Sequence, residues 1–374
     1  MSVVGLDHEY IFCKTKWLLC MKILIVKLSS LGDVLHNLPI VWDLREQFPQ
    51  AQIDWVIEEA YVSLLEPVKT TQDFKGIDRV IPLAFRRWKK ALKKGEFVRS
   101  IQEFMTFKTE LQQTQYDLII ETQGLIKSAF VTYLANKSPK ARVIGLANQT
   151  EYSGYEPLAR KFYTESIQVP FRCHAVDRSR WLAAAACDRA PPDRAQAPPQ
   201  FYSSDYLQQL TDFSNLSTLP HLSKDKLGFD ITQPYVLCFH STARDAKRWA
   251  NDHWVVIGQE LAKRGMQVIL PWGNQDEKTI SAGIAQQIPH SVVPASFSID
   301  TAFYLVANAA LTIGVDTGLT HLAAIFNRPT IEIYCDSPRW KTEAYWSEKI
   351  MNLGDTQAPP TVAQVQEALQ NLLG

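Results

Sequence analysis

Asp33 is the residue on which a reaction could turn. It follows an apolar run, residues 22–28, that suits a buried parallel strand. Ser29, Ser30 and Gly32 break that run, and Val34, Leu35 and Leu38 then recur at helical spacing. The carboxylate therefore stands where a strand hands over to a helix, beyond the carboxyl end of a sheet, where open α/β proteins bind ligands. Such a group can act as a general base. It can equally cap the helix, since Asp is a preferred capping residue, and position alone leaves both readings open.

Three more polar junctions lie in the second half. His240 to Trp249 (HSTARDAKRW) places Ser241 and Thr242 after a strand, with Lys247 and Arg248 close behind, a set of hydroxyls and cations suited to a diphosphate. Pro271 to Glu277 (PWGNQDE) brings Glu277 to a helix start, where it can accept from ribose hydroxyls. Gly314 to His321 (GVDTGLTH) joins a strand to a helix whose first amides and Thr317 hydroxyl can hold phosphate. Each junction alone is explained by turns and caps, and His321 alone by a core histidine. Three on one sheet edge point to a nucleotide-diphosphate pocket.

The first half carries one concentration of charge, RRWKKALKK, from Arg86 to Lys94. A charge run is commonly a solvated helix face, and the other reading is a surface for phosphate, carboxylate or an anionic membrane. Lys127, in the first turn of a helix after TQGLI, opposes the helix dipole and so favours a ligand-related role.

The elements that must position these residues alternate between short apolar strands and helical segments, the pattern of parallel sheets with crossover helices. Strands are expected at 22–28, 52–57, 79–83, 117–121 and 142–145, then at 235–239, 267–271, 311–314 and 330–334. Helices are expected at 253–264, 277–287, 299–309, 319–326 and 361–373. The Pro-Pro pairs at 191–192 and 198–199 stiffen a connection. The expected organisation is an extension at 1–20 that is disordered or precedes the native start at Met21, a Rossmann-like domain at 21–188, a Pro-rich linker at 189–229 and a second Rossmann-like domain with a terminal helix at 230–374. The fold class is α/β, with the two domains expected to face each other across a cleft.

At 374 residues, 46% hydrophobic and 21% charged, the chain has the makeup of a globular protein. Its 39 basic and 39 acidic residues balance, so no global field draws it to nucleic acid, and any anionic partner must be met locally. Six scattered cysteines lack metal-ligand spacing and suit reduced thiols. No apolar run approaches the roughly 20 residues of a membrane span. GxGxxG and GxxxxGK[ST] are absent, which withdraws support from dehydrogenase and P-loop readings, and no clustered ligands suggest a metal.

The motifs KLSSLGDVLHNLP, DWVIEEA, VIPLAFRRWKKA, TQGLIKSA, HSTARDAKRW, LPWGNQDE and VDTGLTHLAA together make the chain from Met21 onward resemble the lipopolysaccharide heptosyltransferases, which are metal-independent glycosyltransferases of the GT-B type. The resemblance implies inverting transfer of heptose from ADP-heptose to the inner Kdo of a Kdo2-lipid A acceptor, with no cofactor. It also implies Asp33 as general base. Thr242, Lys247, Glu277, Asp316, Thr317, Gly318 and His321 would line the donor site, and Ser30, Gly32, Arg86, Arg87, Lys90 and Lys127 would face the acceptor. A monomer, cytoplasmic and held peripherally on the inner membrane by its basic patch, is the expected form. The family pattern H-x-T-T-R reads His240-Ser241-Thr242-Ala243-Arg244 here, one hydroxyl short, a difference of about 1 kcal/mol in donor binding. Two alternatives stand beside this one: a related transferase using another nucleotide sugar, and a non-catalytic nucleotide-binding protein, which would have no need of Asp33.

Overall fold

Parallel pairing runs through both sheets of the computed structural model, which describes residues 21–191, 193–211, 224–230, 234–242 and 244–374. The expectations for 1–20, for Pro192 and 212–223 of the linker, and for 231–233 and Ala243 of the second domain lie outside the described residues. The chain divides into two compact units. Among the described residues, one holds Met21–Ser30 together with His36–Gln200, and the other holds Leu31–Leu35 with Phe201–Gly374. Residues 189–200 thus fall within the first unit, and the Asp33 segment is counted with the second.

In the first unit six strands lie in the order β3-β2-β1-β4-β5-β6: β1 (Lys22–Val26), β2 (Gln52–Glu58), β3 (Arg79–Leu83), β4 (Tyr116–Glu121), β5 (Lys137–Leu146) and β6 (Glu165–Ile167). Ile23 to Val26 are fully buried, as a strand covered on both faces requires, and Ile23 pairs in register with Ile53 on one side and Leu118 on the other. β1 ends at Val26, two residues short of its expected limit. The backbone nonetheless stays tied to β2, because Glu58 N–H donates to the Leu28 carbonyl at 3.1 Å. The helix expected after Gly32 is two pieces. Leu31–Leu35 is a single short turn, and a separate helix, Pro39–Gln47, starts with the proline in its first turn, where no amide is needed.

The basic run forms the helix Phe85–Lys93, followed by Phe97–Gln112. Gly95, with φ +82°, makes the break between them in the left-handed region where a side chain would be strained. Trp88 is the buried residue of the basic helix and packs on Phe104 and Phe107 in the core around Leu24, Val26 and Ile119. β6 is a three-residue edge strand with no run of its own in the pattern, and β5 begins five residues before its expected start, in the polar stretch KSPKA.

The second unit has five strands in the order β11-β10-β9-β7-β8: β7 (Tyr235–Phe239), β8 (Gln267–Ile269), β9 (Leu311–Val315), β10 (Thr330–Tyr334) and β11 (Ile350–Gly354). β11 was not expected from the pattern. The helices Asn251–Lys263, Gln275–Ala285, Ile299–Asn308, Gly318–Ile325 and Val362–Leu373 surround this sheet. The last starts with a capping box in which the Thr361 hydroxyl accepts from Gln364 N and the Gln364 side chain accepts from Thr361 N.

Candidate functional site

Because β7, β8 and β9 are parallel neighbours, the three polar junctions that follow them emerge from one edge of the second sheet. The most organised of the three follows β9. Asp316 sits between two cations, with one carboxylate oxygen on Lys247 Nζ and the other 3.0 Å from His321 Nε2. Thr342 Oγ1 also donates to it at 3.2 Å. His321 Nδ1 lies 2.9 Å from Glu332 Oε1, and the Tyr334 hydroxyl donates to Glu332 Oε2 at 2.8 Å. The result is a line of alternating charge, Lys247–Asp316–His321–Glu332, running inward from a partly exposed ammonium to a fully buried carboxylate.

Burial favours the neutral imidazole, but Glu332 and Asp316 together outweigh it and push the His321 pKa up to about 10. Burial by itself would raise the Asp316 carboxyl, yet His321 and Lys247 hold it well below the usual carboxylate range. His321 is therefore a charged member of a network and not an isolated core histidine. Glu332 is the residue that the sequence reading missed. Its only signal was an acid in the middle of the buried strand TIEIY, an arrangement too costly to exist without a partner.

The helix Gly318–Ile325 begins beside this line. Thr317 takes the capping position in extended backbone, but its hydroxyl makes no capping bond, so the first-turn amides keep their capacity for another acceptor. Gly318 is required by crowding. A Cβ there would lie 2.2 Å from Leu31 Cδ2 and 2.9 Å from Gly32 N, within the same compact unit. Gly32 in turn approaches Gly318 Cα and His321 Cδ2 at 3.5 Å from where its own Cβ would be. This close packing sets the segment carrying Asp33 against the start of that helix. Asp33 itself is exposed in the first turn of Leu31–Leu35, where a capping residue would instead precede the turn.

At the β7 junction, Ser241 and Thr242 are partly exposed, and His240 is buried, its Nε2 2.7 Å from Ser281 Oγ. Burial, with Arg248 nearby, pulls the His240 pKa down to about 4, so this imidazole is neutral near pH 7. At the β8 junction Glu277 is turned back on its own loop. Its carboxylate accepts from Gly273 N at 2.7 Å and Asn274 Nδ2 at 2.8 Å, while Asn274 caps the helix through Glu277 N. One face of that carboxylate is thereby committed to shaping the loop.

In the first unit the acids of DWVIEEA organise the basic helix. Glu58 accepts from Arg86 N at 2.8 Å, and burial raises its carboxyl despite Arg86 and Lys127 beside it. Arg87 pairs two-fold with Glu59 and also meets Glu103, so its charge is spent locally. Lys89, Lys90, Lys93 and Lys94 have no ion-pair partner among the described residues. Lys127, in the first turn of Ile126–Leu134, is partly exposed. The loop before it is held by Glu121, wholly buried at the end of β4, which accepts from Gln123 N, Gly124 N and the Tyr163 hydroxyl. Burial raises the Glu121 carboxyl. Gln123 Oε1 accepts from Leu28 N at 2.9 Å, tying this loop to the end of β1 just ahead of Ser29 and Ser30. Among the described residues no group of three or more His, Cys, Asp or Glu side chains is placed to hold a metal ion, and no helix is long and apolar enough to cross a membrane.

Comparison with known proteins places these features in context. The model of glycosyltransferase family 9 (heptosyltransferase) matches residues 104–371. Lipopolysaccharide heptosyltransferase 1 of Pseudomonas aeruginosa is 33% identical over 335 residues, covering 88% of this chain and 83% of that protein. Among solved structures, E. coli heptosyltransferase WaaC with ADP superposes with a TM-score of 0.75 at 29% identity, covering 94% of this chain and all of that one. The same enzyme with ADP-2-deoxy-2-fluoro heptose gives 0.71 at 30% identity, with 94% and 99% covered.

Proposed function

The chain belongs to glycosyltransferase family 9, the heptosyltransferases, and from that premise we propose that it transfers heptose from ADP-heptose to the inner Kdo of a Kdo2-lipid A acceptor, inverting the anomeric carbon. It is an enzyme of the GT-B type with two parallel-sheet α/β units. The observation that carries the reading is the charged line ending at Lys247, beside a helix start whose amides and Thr317 hydroxyl are unspent.

Displacing ADP builds negative charge on the departing diphosphate. Lys247 and the first-turn amides at Gly318 are donors held in advance, and preorganised donors of this kind contribute heavily to rate. The network that orients Lys247 runs through Asp316 to His321, so Asp316 and His321 are positioning residues. Thr242 and Thr317 add hydroxyls for the phosphates, and Glu277 keeps its loop in shape for the nucleoside. Asp33 takes the proton of the acceptor hydroxyl as it attacks the anomeric carbon opposite the leaving group. Ser30 and Gly32 shape the approach to it. Arg86, Lys90 and Lys127 attract the acceptor's acidic groups, while Arg87, paired with Glu59 and Glu103, holds in place the helix that carries Arg86 and Lys90. The protein works as a monomer at the cytoplasmic face of the inner membrane, where the unpaired lysines of Phe85–Lys93 and Lys94 meet anionic headgroups.

The test is ADP release from ADP-heptose with Kdo2-lipid A, for the unmodified chain and for Asp33→Asn. The substitution lowers kcat by about 10²–10⁴-fold while ADP affinity is retained. Equal turnover in the two proteins removes Asp33 from the chemistry. No ADP release from the unmodified chain with this donor, but release with another nucleotide sugar, moves the assignment to a related transferase.

A further inference from the structure

Beside the basic helix, wholly inside the first unit, lies an apolar groove of about 1180 Å³, a size that accommodates a substantial ligand. Its floor is Trp88 with Phe104 and Phe107, packed edge to face, and the indole N–H is fixed to Glu103 at 2.7 Å. Its walls include Phe85, Ile101 and Phe130, which are 42%, 59% and 41% exposed. Val98, Met105 and Tyr133, on the helices that form these walls, are exposed as well, so one face of the unit holds most of the large apolar side chains that the described residues leave in water.

Apart from its lysines, the polar side chains of the lining already have partners. Ser100 Oγ donates to Glu96 O at 3.0 Å, and Glu156 accepts from Ile126 N at 2.6 Å. A peptide lying here would bring N–H and C=O groups that need partners the floor does not offer. A hydrocarbon chain brings none. At the lip stand Lys89, Lys93 and Lys127, so the cavity is apolar within and cationic at its mouth. Two copies of this face would oppose their lysines, which disfavours self-association. An anionic amphiphile matches both parts at once.

We propose that this groove receives an acyl chain of the lipid acceptor, with the lip lysines meeting its phosphate. The proposal rests on the transferase reading above and adds a subsite to it. Each methylene buried strengthens binding by about fourfold, so even a partly seated chain separates acylated from deacylated acceptors. The groove also adjoins the loop of Leu125 and Lys127, at the sheet edge from which the chain runs on to Ser30.

The experiment measures ADP release with Kdo2-lipid A dispersed in detergent and with its deacylated counterpart, for the unmodified chain, Ile101→Ser and Phe130→Ser. Both side chains are exposed, and thermal unfolding checks that the fold is kept. The expected result is a KM for the acylated acceptor that rises about tenfold relative to the KM for the deacylated one in each variant. Normal turnover with an unchanged KM ratio overturns the subsite alone. An unchanged ratio with loss of binding to vesicles of phosphatidylglycerol assigns the face to the bilayer surface and overturns it too. Dissociation of a dimer by either variant, seen in sedimentation, overturns it in favour of a second copy. No turnover with either acceptor overturns the transferase reading on which the subsite depends.

Discussion

A positive charge buried between two carboxylates, as at His321, makes local stability depend on pH in a definite direction. The imidazole titrates near 6.5 in an unfolded chain and near 10 here, so the folded state holds its proton more tightly. Its contribution is complete below about pH 6.5, declines as pH rises, and is lost above about pH 10. Urea unfolding followed between about pH 6 and pH 10 should show that decline. His321→Gln should flatten it and cost about 3–5 kcal/mol near neutrality, since Glu332 and Asp316 are left without the charge between them. A slope shared by both proteins would assign the decline to other groups. Of this network the motif D-T-G-x-x-H showed Asp316 and His321, five residues apart and so within reach across one helix start. Glu332 belongs to a different strand, and its pairing depends on how β9 and β10 are aligned, which no local spacing encodes.

Among the elements, the β9 junction depends on a glycine within a strand. A Cβ on Gly314 would fall 2.0 Å from Thr320 Oγ1, and that hydroxyl donates back to the Val315 carbonyl at 2.8 Å, closing the turn that presents Asp316 and Thr317. Gly314→Ala is expected to destabilise by about 1–3 kcal/mol and to weaken ADP binding with it, measured by thermal unfolding and by calorimetric titration. An unaltered ADP affinity would separate the turn from the donor site. The pattern of apolar runs located the central strands of both sheets well, because parallel strands covered on both faces must be continuously apolar. It failed where that reason lapses. β6 and β11 are edge strands with partial burial, and β5 starts in polar residues. The helix expected after Gly32 differs for another reason: Pro39 is only comfortable at a helix start, so a second helix begins there.

Taken whole, the molecule is neutral, with 39 charges of each sign, so any salt dependence must come from particular places. Glu59, just after β2, and Glu103 of the helix Phe97–Gln112 consume Arg87, whereas Lys90, Lys93 and Lys94 are left without ion-pair partners among the described residues. The KM for a phosphorylated acceptor should therefore climb as salt is added, with a screening length near 8 Å at physiological strength, while the KM for the donor moves less. Replacing Lys90, Lys93 and Lys94 with Gln should raise the acceptor KM at low salt and flatten its salt curve. A curve of the same slope would place the attraction elsewhere. The sequence located this patch but not its use, because which cations are spent is decided by acids some thirty residues earlier, such as Glu59 facing Arg87.

The assignment of Leu31–Leu35 to the second unit means that the two units are not consecutive lengths of chain. The polypeptide leaves the first, contributes five residues to the second, returns for His36–Gln200, and only then departs for good. A gene cut at codon 201 would thus yield two incomplete products. The carboxy-terminal fragment would lack the residues that meet Gly318, and the amino-terminal one would carry a turn with nothing to rest on. The five residues of Leu31–Leu35 thus tie the two lengths of chain into a single folding problem, since the second unit is complete only when an early stretch of the polypeptide has joined it.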